Sequence, residues 1–311
     1  MYDFIRFVIC DILFAESLHS NNDLTLTTAI NDKTGEVRDG VYEGKYHNME
    51  FMIYPSGRVL ITGSIHKYFN CLMGLGNQNY NDFTLIDVQF VLNDLRDRFG
   101  IDINNARIEN LEFGLNLITP FCPNIFLDSL VCYKNHSLDN MRVKRQGKGK
   151  EVYLQRYAMK YYNKGLHQGQ KKNILRIEKK VYKMDSIGKG IIYLSDILDA
   201  DFANHCFNIL MESFNDLVIA EPLNNSTLSK PQMKIYERCI NPRNWPIMTR
   251  NQRYKSKLQF DQIIEKYGTL QLKSIITDLM KLKGKQLINN KKKVTFDPLF
   301  KNGKGDVRSV M

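Results

Sequence analysis

Asn110-Leu111-Glu112-Phe113-Gly114-Leu115-Asn116-Leu117 is the stretch on which the fold turns. Leu111, Phe113, Leu115 and Leu117 alternate with Asn110, Glu112, Gly114 and Asn116, the period of a strand with one apolar face. The apolar set has to meet a core, so the opposite face presents a carboxylate, a glycine and an amide side by side. Two later stretches are two-faced in the same way. In 152–162, Tyr153, Tyr157, Met159 and Tyr161 oppose Arg156, Lys160 and Tyr162. In 173–181, Leu175, Ile177 and Val181 oppose Arg176, Glu178 and Lys180. Such strands suit an antiparallel sheet with one packed and one polar face. If the three are neighbours, Glu112, Asn116, Arg156, Lys160, Tyr162, Arg176 and Glu178 gather on one side. A sheet whose second face is merely solvated has the same pattern.

Outward from these strands, Tyr2–Asp11 reads as a strand of mixed alternation, and 20–48 as a polar loop or hairpin. Pro55-Ser56-Gly57 is a turn between strands 49–54 and 58–66, the second with Thr62, Ser64 and His66 on one face. Leu85, Val88, Val91, Leu92, Leu95 and Phe99 recur at helical spacing behind a Thr84/Asp87 capping pair. Residues 120–133 read as a short helix or loop. A second helical stripe runs through Phe202, Cys206, Ile209, Leu210, Phe214 and Leu217, after a shorter helical stretch at 194–198. Residues 221–231 read as a linker, followed by helices over 258–267 and 270–282 broken at Gly268, a pair that suits either a helix-turn-helix reader of duplex DNA or, more plainly, a structural αα-hairpin.

The chain has 311 residues, enough for a sizeable core and a second, smaller unit. Its first apolar run is interrupted by Arg6 and Asp11, well short of the roughly 20 residues of a membrane span. No small-residue cleavage site marks a signal peptide. Six cysteines without a Cys-x-x-Cys pair, and six histidines never closer than 19 positions, fit neither a disulfide framework nor a zinc site. The thiols are expected to be reduced and mostly buried, in the cytoplasm.

The formal charge of +11 is unevenly spread. Residues 142–180 hold thirteen Lys/Arg against Glu151 and Glu178, and 281–311 hold nine against Asp297 and Asp306. These zones carry +11 and +7, so the remainder is −7. The first zone interleaves Tyr153, Tyr157, Tyr161 and Tyr162 with its charge, and single-stranded nucleic acid is held by cations on phosphates and aromatic faces on bases. A solvated basic face is the plainer reading of each zone.

The gathered polar residues point to a particular chemistry. Glu112, Glu178 and the amide oxygen of Asn116 are hard donors of the kind Mg²⁺ or Mn²⁺ takes. A tyrosine hydroxyl, with a pKa of ~10, is favoured as its anion by Lys160 or Lys164 and by a metal. A metal also polarises a phosphate oxygen. Together these describe phosphodiester transesterification through a phosphotyrosine.

At these residues the sequence resembles the rolling-circle replication initiators of plasmids and filamentous phages, the group related to the phage gene II/X product. The resemblance is carried by Leu111-Glu112-Phe113-Gly114-Leu115-Asn116, Lys160-Tyr161-Tyr162-Asn163-Lys164-Gly165 and Leu175-Arg176-Ile177-Glu178. Gly63-Ser64-Ile65-His66-Lys67-Tyr68-Phe69-Asn70 and Asn79-Tyr80-Asn81-Asp82-Phe83 are similar to the family's N-terminal signature. It spans roughly Tyr2 to Leu217. Related plasmid initiators have two aspartates four apart where this chain has Glu112 and Asn116, and the paired histidines of the wider nicking superfamily are missing.

The expected fold is α+β: an antiparallel-sheet nicking domain over 1–219, which the resemblance implies, then a small helical region over 220–284 and a basic tail over 285–311, read from the pattern and charge. The resemblance implies a metal-dependent endonuclease and strand transferase that nicks origin DNA, stays on the 5′ phosphate, leaves a 3′ hydroxyl as primer and later rejoins the strand. Tyr162 is the expected nucleophile, because the motif places a residue and then a lysine after it, and alternation puts Tyr161 with the apolar set. Lys160 and Lys164 would assist, and Glu112, Glu178 and Asn116 would hold Mg²⁺ or Mn²⁺. Lys67, Lys144, Arg145, Arg156 and Arg176 would hold the strand, with His66 at the scissile phosphate. A host helicase and a second copy of the chain are open as partners, in a bacterial cytoplasm and without a membrane. A mobilisation relaxase or transposase with the same chemistry, and a non-catalytic single-strand binder, are the rival readings.

Overall fold

The strand at 110–117 lies inside a ten-stranded sheet in the computed structural model, which describes residues 1–30, 33–141, 143–145, 147–188, 190–224 and 228–289. In chain order the elements begin with β1 (Tyr2–Cys10), α1 (Ile12–His19), β2 (Thr25–Ile30), β3 (Val37–Tyr46), β4 (Met49–Ile53), β5 (Arg58–Ser64), α2 (Ile65–Leu72) and α3 (Leu85–Phe99). There follow β6 (Arg107–Ile118), α4 (Pro123–Asp128), β7 (Leu130–Tyr133), β8 (His136–Ser137), β9 (Asp139–Asn140), β10 (Gly149–Tyr153), β11 (Tyr157–Asn163), α5 (Lys164–His167) and β12 (Ile174–Val181). The chain continues through α6 (Ala200–Asn215), β13 (Leu217–Ile219), α7 (Lys230–Ile240), α8 (Asn244–Ile247), α9 (Arg250–Tyr267) and α10 (Leu272–Asn289). The large sheet has the order β2-β3-β4-β5-β1-β6-β12-β11-β10-β9, with neighbours antiparallel, and β13-β7-β8 form a second small sheet. The protein is α+β.

One face of the sheet is the core. Leu111, Phe113, Leu115 and Leu117 are buried where α10 and α6 pack on β6. The stripe of α3 buries Val88, Val91, Leu92, Leu95 and Phe99, behind the expected Thr84/Asp87 capping box, and Gly100 ends that helix at φ 72°. A smaller core joins Cys132, Val218, Cys239, Trp245, Phe260 and Ile264. Leu272, Ile276 and Met280 of α10 belong to the larger core, so the stretch 220–284 is divided between the two. All six cysteines are free, but only Cys132, Cys206 and Cys239 are buried, while Cys10 and Cys122 are exposed. Among the described residues no helix is long and apolar enough to cross a membrane. Most of the expected tail, from residue 290, lies outside the described residues.

Of the two readings of 20–48 the hairpin holds: β2 and β3 pair and extend the sheet beyond β4. Several expected elements differ. The strand expected over 58–66 stops at Ser64, whose hydroxyl accepts from Lys67 N and starts α2, so His66 is helical. The stretch 152–162 is two strands, β10 and β11, with the chain reversing at 154–156. Arg156 is therefore in a turn, paired with Asp185 at 3.2 Å, and Tyr153 is exposed. The linker expected over 221–231 runs into α7.

Register puts the polar residues in rows. Tyr162 lies opposite Arg176 and Arg176 opposite Asn116; in the next row Lys160 faces Glu178 and Glu178 faces Gly114. On the far side β1 bulges: Tyr2 pairs with Phe113 but Ile5 with Leu111, three residues against two. The extra residue turns Asp3 out of the apolar alternation and onto the polar face. Gly114 leaves room in this row. A Cβ there would stand 2.3 Å from Ile177 O and 2.7 Å from Glu178 Cα. Gly114→Ala is expected to lose about 1–3 kcal/mol of stability in urea denaturation; a loss within experimental error would show that the strands can part to admit it.

Candidate active site

Arg176 is the hub of the polar face and is 2% exposed. Its Nε donates to Glu178 Oε2 at 2.8 Å, Nη1 to Asn116 Oδ1 at 3.2 Å, and Nη2 to Asp3 Oδ2 at 3.0 Å. Lys160 Nζ lies 3.3 Å from Glu178 Oε1 and 3.5 Å from Glu112 Oε2. Asp3, Glu112 and Glu178 are all buried and bring carboxylate oxygens within 4.8 Å of one another. Burial alone would raise Glu178, but Arg176 and Lys160 outweigh it and hold the carboxyl low. Glu112 lacks a guanidinium: burial first, and then the charge of Glu178, push it up to about 7.

The Tyr162 hydroxyl donates to Glu178 Oε2 at 3.3 Å. Burial, and after it the charge of Glu178, hold this phenol protonated well above its usual range. Tyr161 points the other way, fully buried in the apolar core, and its hydroxyl has no hydrogen-bond partner among the described residues. Lys164 Nζ sits 5.6 Å from the Tyr162 ring centre and donates to Asn79 Oδ1 at 2.6 Å. Burial, reinforced by Arg176, lowers its ammonium to about 8.

A segment between α2 and α3 roofs these groups. Asn79 Nδ2 donates to Asp3 Oδ2 at 2.6 Å, and its carbonyl accepts from Asn116 Nδ2 at 3.0 Å. Ser64 Oγ donates to the other Asp3 oxygen. His66 is buried, stacked on Phe83 and paired through Nε2 with Asn81 Oδ1 at 2.7 Å; burial lowers its pKa to about 3. A cavity of about 240 Å³ opens beside Asn116, bounded by Tyr80, Asn81, Gln170 and Lys172.

The structure thus brings together Tyr162, Lys160, Lys164, Glu112, Glu178, Asn116 and Arg176. His66 adjoins them as a neutral ring under the roof. Exposed Lys144 and Arg145, with Lys67, surround His167, whose pKa is lowered by burial and then by Lys164 and these three cations. The His167 ring stands edge-on to Tyr162, 5.9 Å between centroids. Arg156 is apart, in its turn. Asp3 and Asn79 escaped the sequence reading: strict alternation places Asp3 with Ile5 and Phe7, and only the bulge moves it. Asn79 sits in the quoted Asn79–Phe83 motif, which was the one available signal.

Among solved structures, the chain is similar to one described as a rolling circle replication initiator protein from Geobacillus stearothermophilus, at a TM-score of 0.38 and 11% identity over 83% of this chain and 96% of that one. A likeness this distant carries no argument about the site. No protein-family model and no curated protein matches the chain.

His66 gives the roof a pH dependence. Its folded pKa lies below the unfolded value of about 6.5, so stability present above that pH is lost as the pH falls toward the folded value. The stability advantage of wild type over His66→Gln should shrink by about 1.4 kcal/mol per unit between about pH 6 and about pH 4. Urea denaturation measures it; a difference independent of pH would mean that His66 protonates without opening the roof.

Proposed function

We propose that the protein initiates rolling-circle DNA replication by nicking one strand at an origin. Tyr162 Oη attacks the phosphorus and the P–O3′ bond breaks. The 5′ phosphate stays on the tyrosine, and the other strand end keeps a 3′ hydroxyl that primes synthesis. The phenol proton leaves by way of Glu178, the acceptor it already has, to water, and the departing 3′ oxygen takes a proton from Lys164. Attack by a new 3′ hydroxyl on the phosphotyrosine reverses the step and rejoins the displaced strand. Lys67, Lys144 and Arg145 hold phosphates at the rim beside His167. With Tyr162 only 5% exposed, a strand reaches it after the 164–169 turn or the 73–83 segment yields.

The donor set suits a hard divalent ion. Three carboxylates face two directly paired cations, Arg176 and Lys160, with Lys164 reaching Asp3 through Asn79, and the carboxyl of Glu112 remains incompletely neutralised. Asp3, Glu112 and Glu178 would hold Mg²⁺ or Mn²⁺, while Asn116 keeps its oxygen on Arg176. When bound, the ion would polarise a non-bridging phosphate oxygen.

The observation that carries this reading is the Tyr162 hydroxyl on Glu178, at the edge of the three carboxylates and between two lysines. The test is a covalent adduct with a labelled single-stranded origin oligonucleotide in Mn²⁺. Wild type and Tyr161→Phe should form it, Tyr162→Phe should not, and Glu178→Gln should form it at least about 100-fold more slowly. An adduct with Tyr162→Phe would move the nucleophile elsewhere; strand binding without any adduct would favour the non-catalytic binder.

A further inference from the structure

The part of the chain that nets −7 conceals a third basic zone. Residues 230–257 hold eight Lys/Arg against a single acid, Glu237. They fold as α7, α8 and the first turns of α9 around the smaller core. Three contacts fix this unit. Tyr236 stacks on Phe260 with centroids 5.8 Å apart. Arg238 Nη2 donates to Ser256 Oγ at 3.0 Å, and Arg253 Nη1 to Met248 O at 2.6 Å, which closes the turn into α9.

With Ser256, Phe260, Ile263 and Ile264 facing inward, the opposite side of α9 is set. It is the stripe Asn251, Tyr254, Lys255, Leu258 and Gln262, all exposed and at helical spacing, with Tyr254 71% exposed and Leu258 49%. Lys234, Arg243, Arg250 and Lys255 make no ion pair among the described residues. From Arg250 to Phe260 the helix carries no acid, and exposed Glu265 continues the same side only one turn past Gln262; a merely solvating face would mix signs along its whole length and leave out the large apolar groups. This one joins amides that pair with adenine, a lysine that pairs with guanine and an apolar side chain that meets a thymine methyl. Unpaired cations flank it. Its 18 residues make a helix about 27 Å long, and a preceding helix is tied across its back, the arrangement in which a second helix enters the major groove.

We propose that α9 is a recognition helix for duplex DNA, reading base edges with Asn251, Tyr254, Lys255, Leu258 and Gln262 while Lys234, Arg243 and Arg250 hold phosphates. This surface acts independently of Tyr162 and places the protein on duplex sequence before or beside the strand that is cut.

The test is fluorescence anisotropy of the full chain on a labelled mixed-sequence duplex of about 30 base pairs, titrated with salt. The triple variant Arg243→Gln/Arg250→Gln/Lys255→Gln should bind at least about tenfold more weakly at low salt, with a log–log salt slope shallower by roughly 2–3. Its melting temperature should match wild type, because the three side chains are solvent-facing. Adduct formation on single-stranded DNA should be unchanged. Unchanged duplex affinity and slope would overturn the proposal. So would an equal loss on a single strand of the same length, which would make the face a strand clamp. Duplex binding is read without any cleavage, so a failure of the tyrosine chemistry would leave this result standing.

Discussion

Arg176 carries a full positive charge into a place that is almost completely closed to water, and such a charge is tolerated only when every donor finds an acceptor. Its guanidinium finds Asp3 on β1, Asn116 on β6 and Glu178 on its own strand. The requirement reaches outward from there. Asp3 has to be turned onto the polar face, which takes the bulge in β1. Gly114 has to be small, because its row is where the strands close up beside Glu178. Asn79 has to lie over the site to complete Asp3 and Lys164. Removing the guanidinium would leave two buried carboxylates facing each other, a change on the order of 3–5 kcal/mol in comparable sites.

The same electrostatics sets the chemistry. Arg176 bonds Glu178 and Asp3 directly but reaches Glu112 only through space, so that carboxyl has Lys160 as its one ion-pair partner among the described residues. Glu112 is therefore the least neutralised of the three carboxyls, and burial keeps the tyrosine protonated. On the proposed chemistry, the phenol would shed its proton once a bound divalent ion adds positive charge to the closed arrangement. The lysines on the rim and the roof over Asn79 stand where a strand would enter.

Much of this was legible in alternation. Leu111 to Leu117, Leu175 to Val181 and Tyr157 to Tyr161 all point as their period requires, and the adjacency of the three strands brings Glu112, Lys160, Tyr162, Arg176 and Glu178 together. What alternation cannot show is where it is interrupted. The bulge at Asp3 and the reversal at 154–156 each move residues by one place, and at period two that exchanges the faces. His66 was misplaced because Ser64 serves a strand end and a helix cap at once. The charge sum hid the surface of α9: a −7 remainder averages a strongly basic 28-residue stretch with an acidic body. Summed charge thus located the zone around Tyr162 and masked the one on α9.

The central claim is that one hydroxyl, on the polar face of β11, becomes bonded to DNA. Tandem mass spectrometry of the protein–oligonucleotide adduct, after nuclease and protease digestion, decides it directly. The fragment ions should place the residual nucleotide mass on Tyr162, and leave the adjacent Tyr161 unmodified. A nucleotide on Tyr161, or on any residue other than Tyr162, would contradict it.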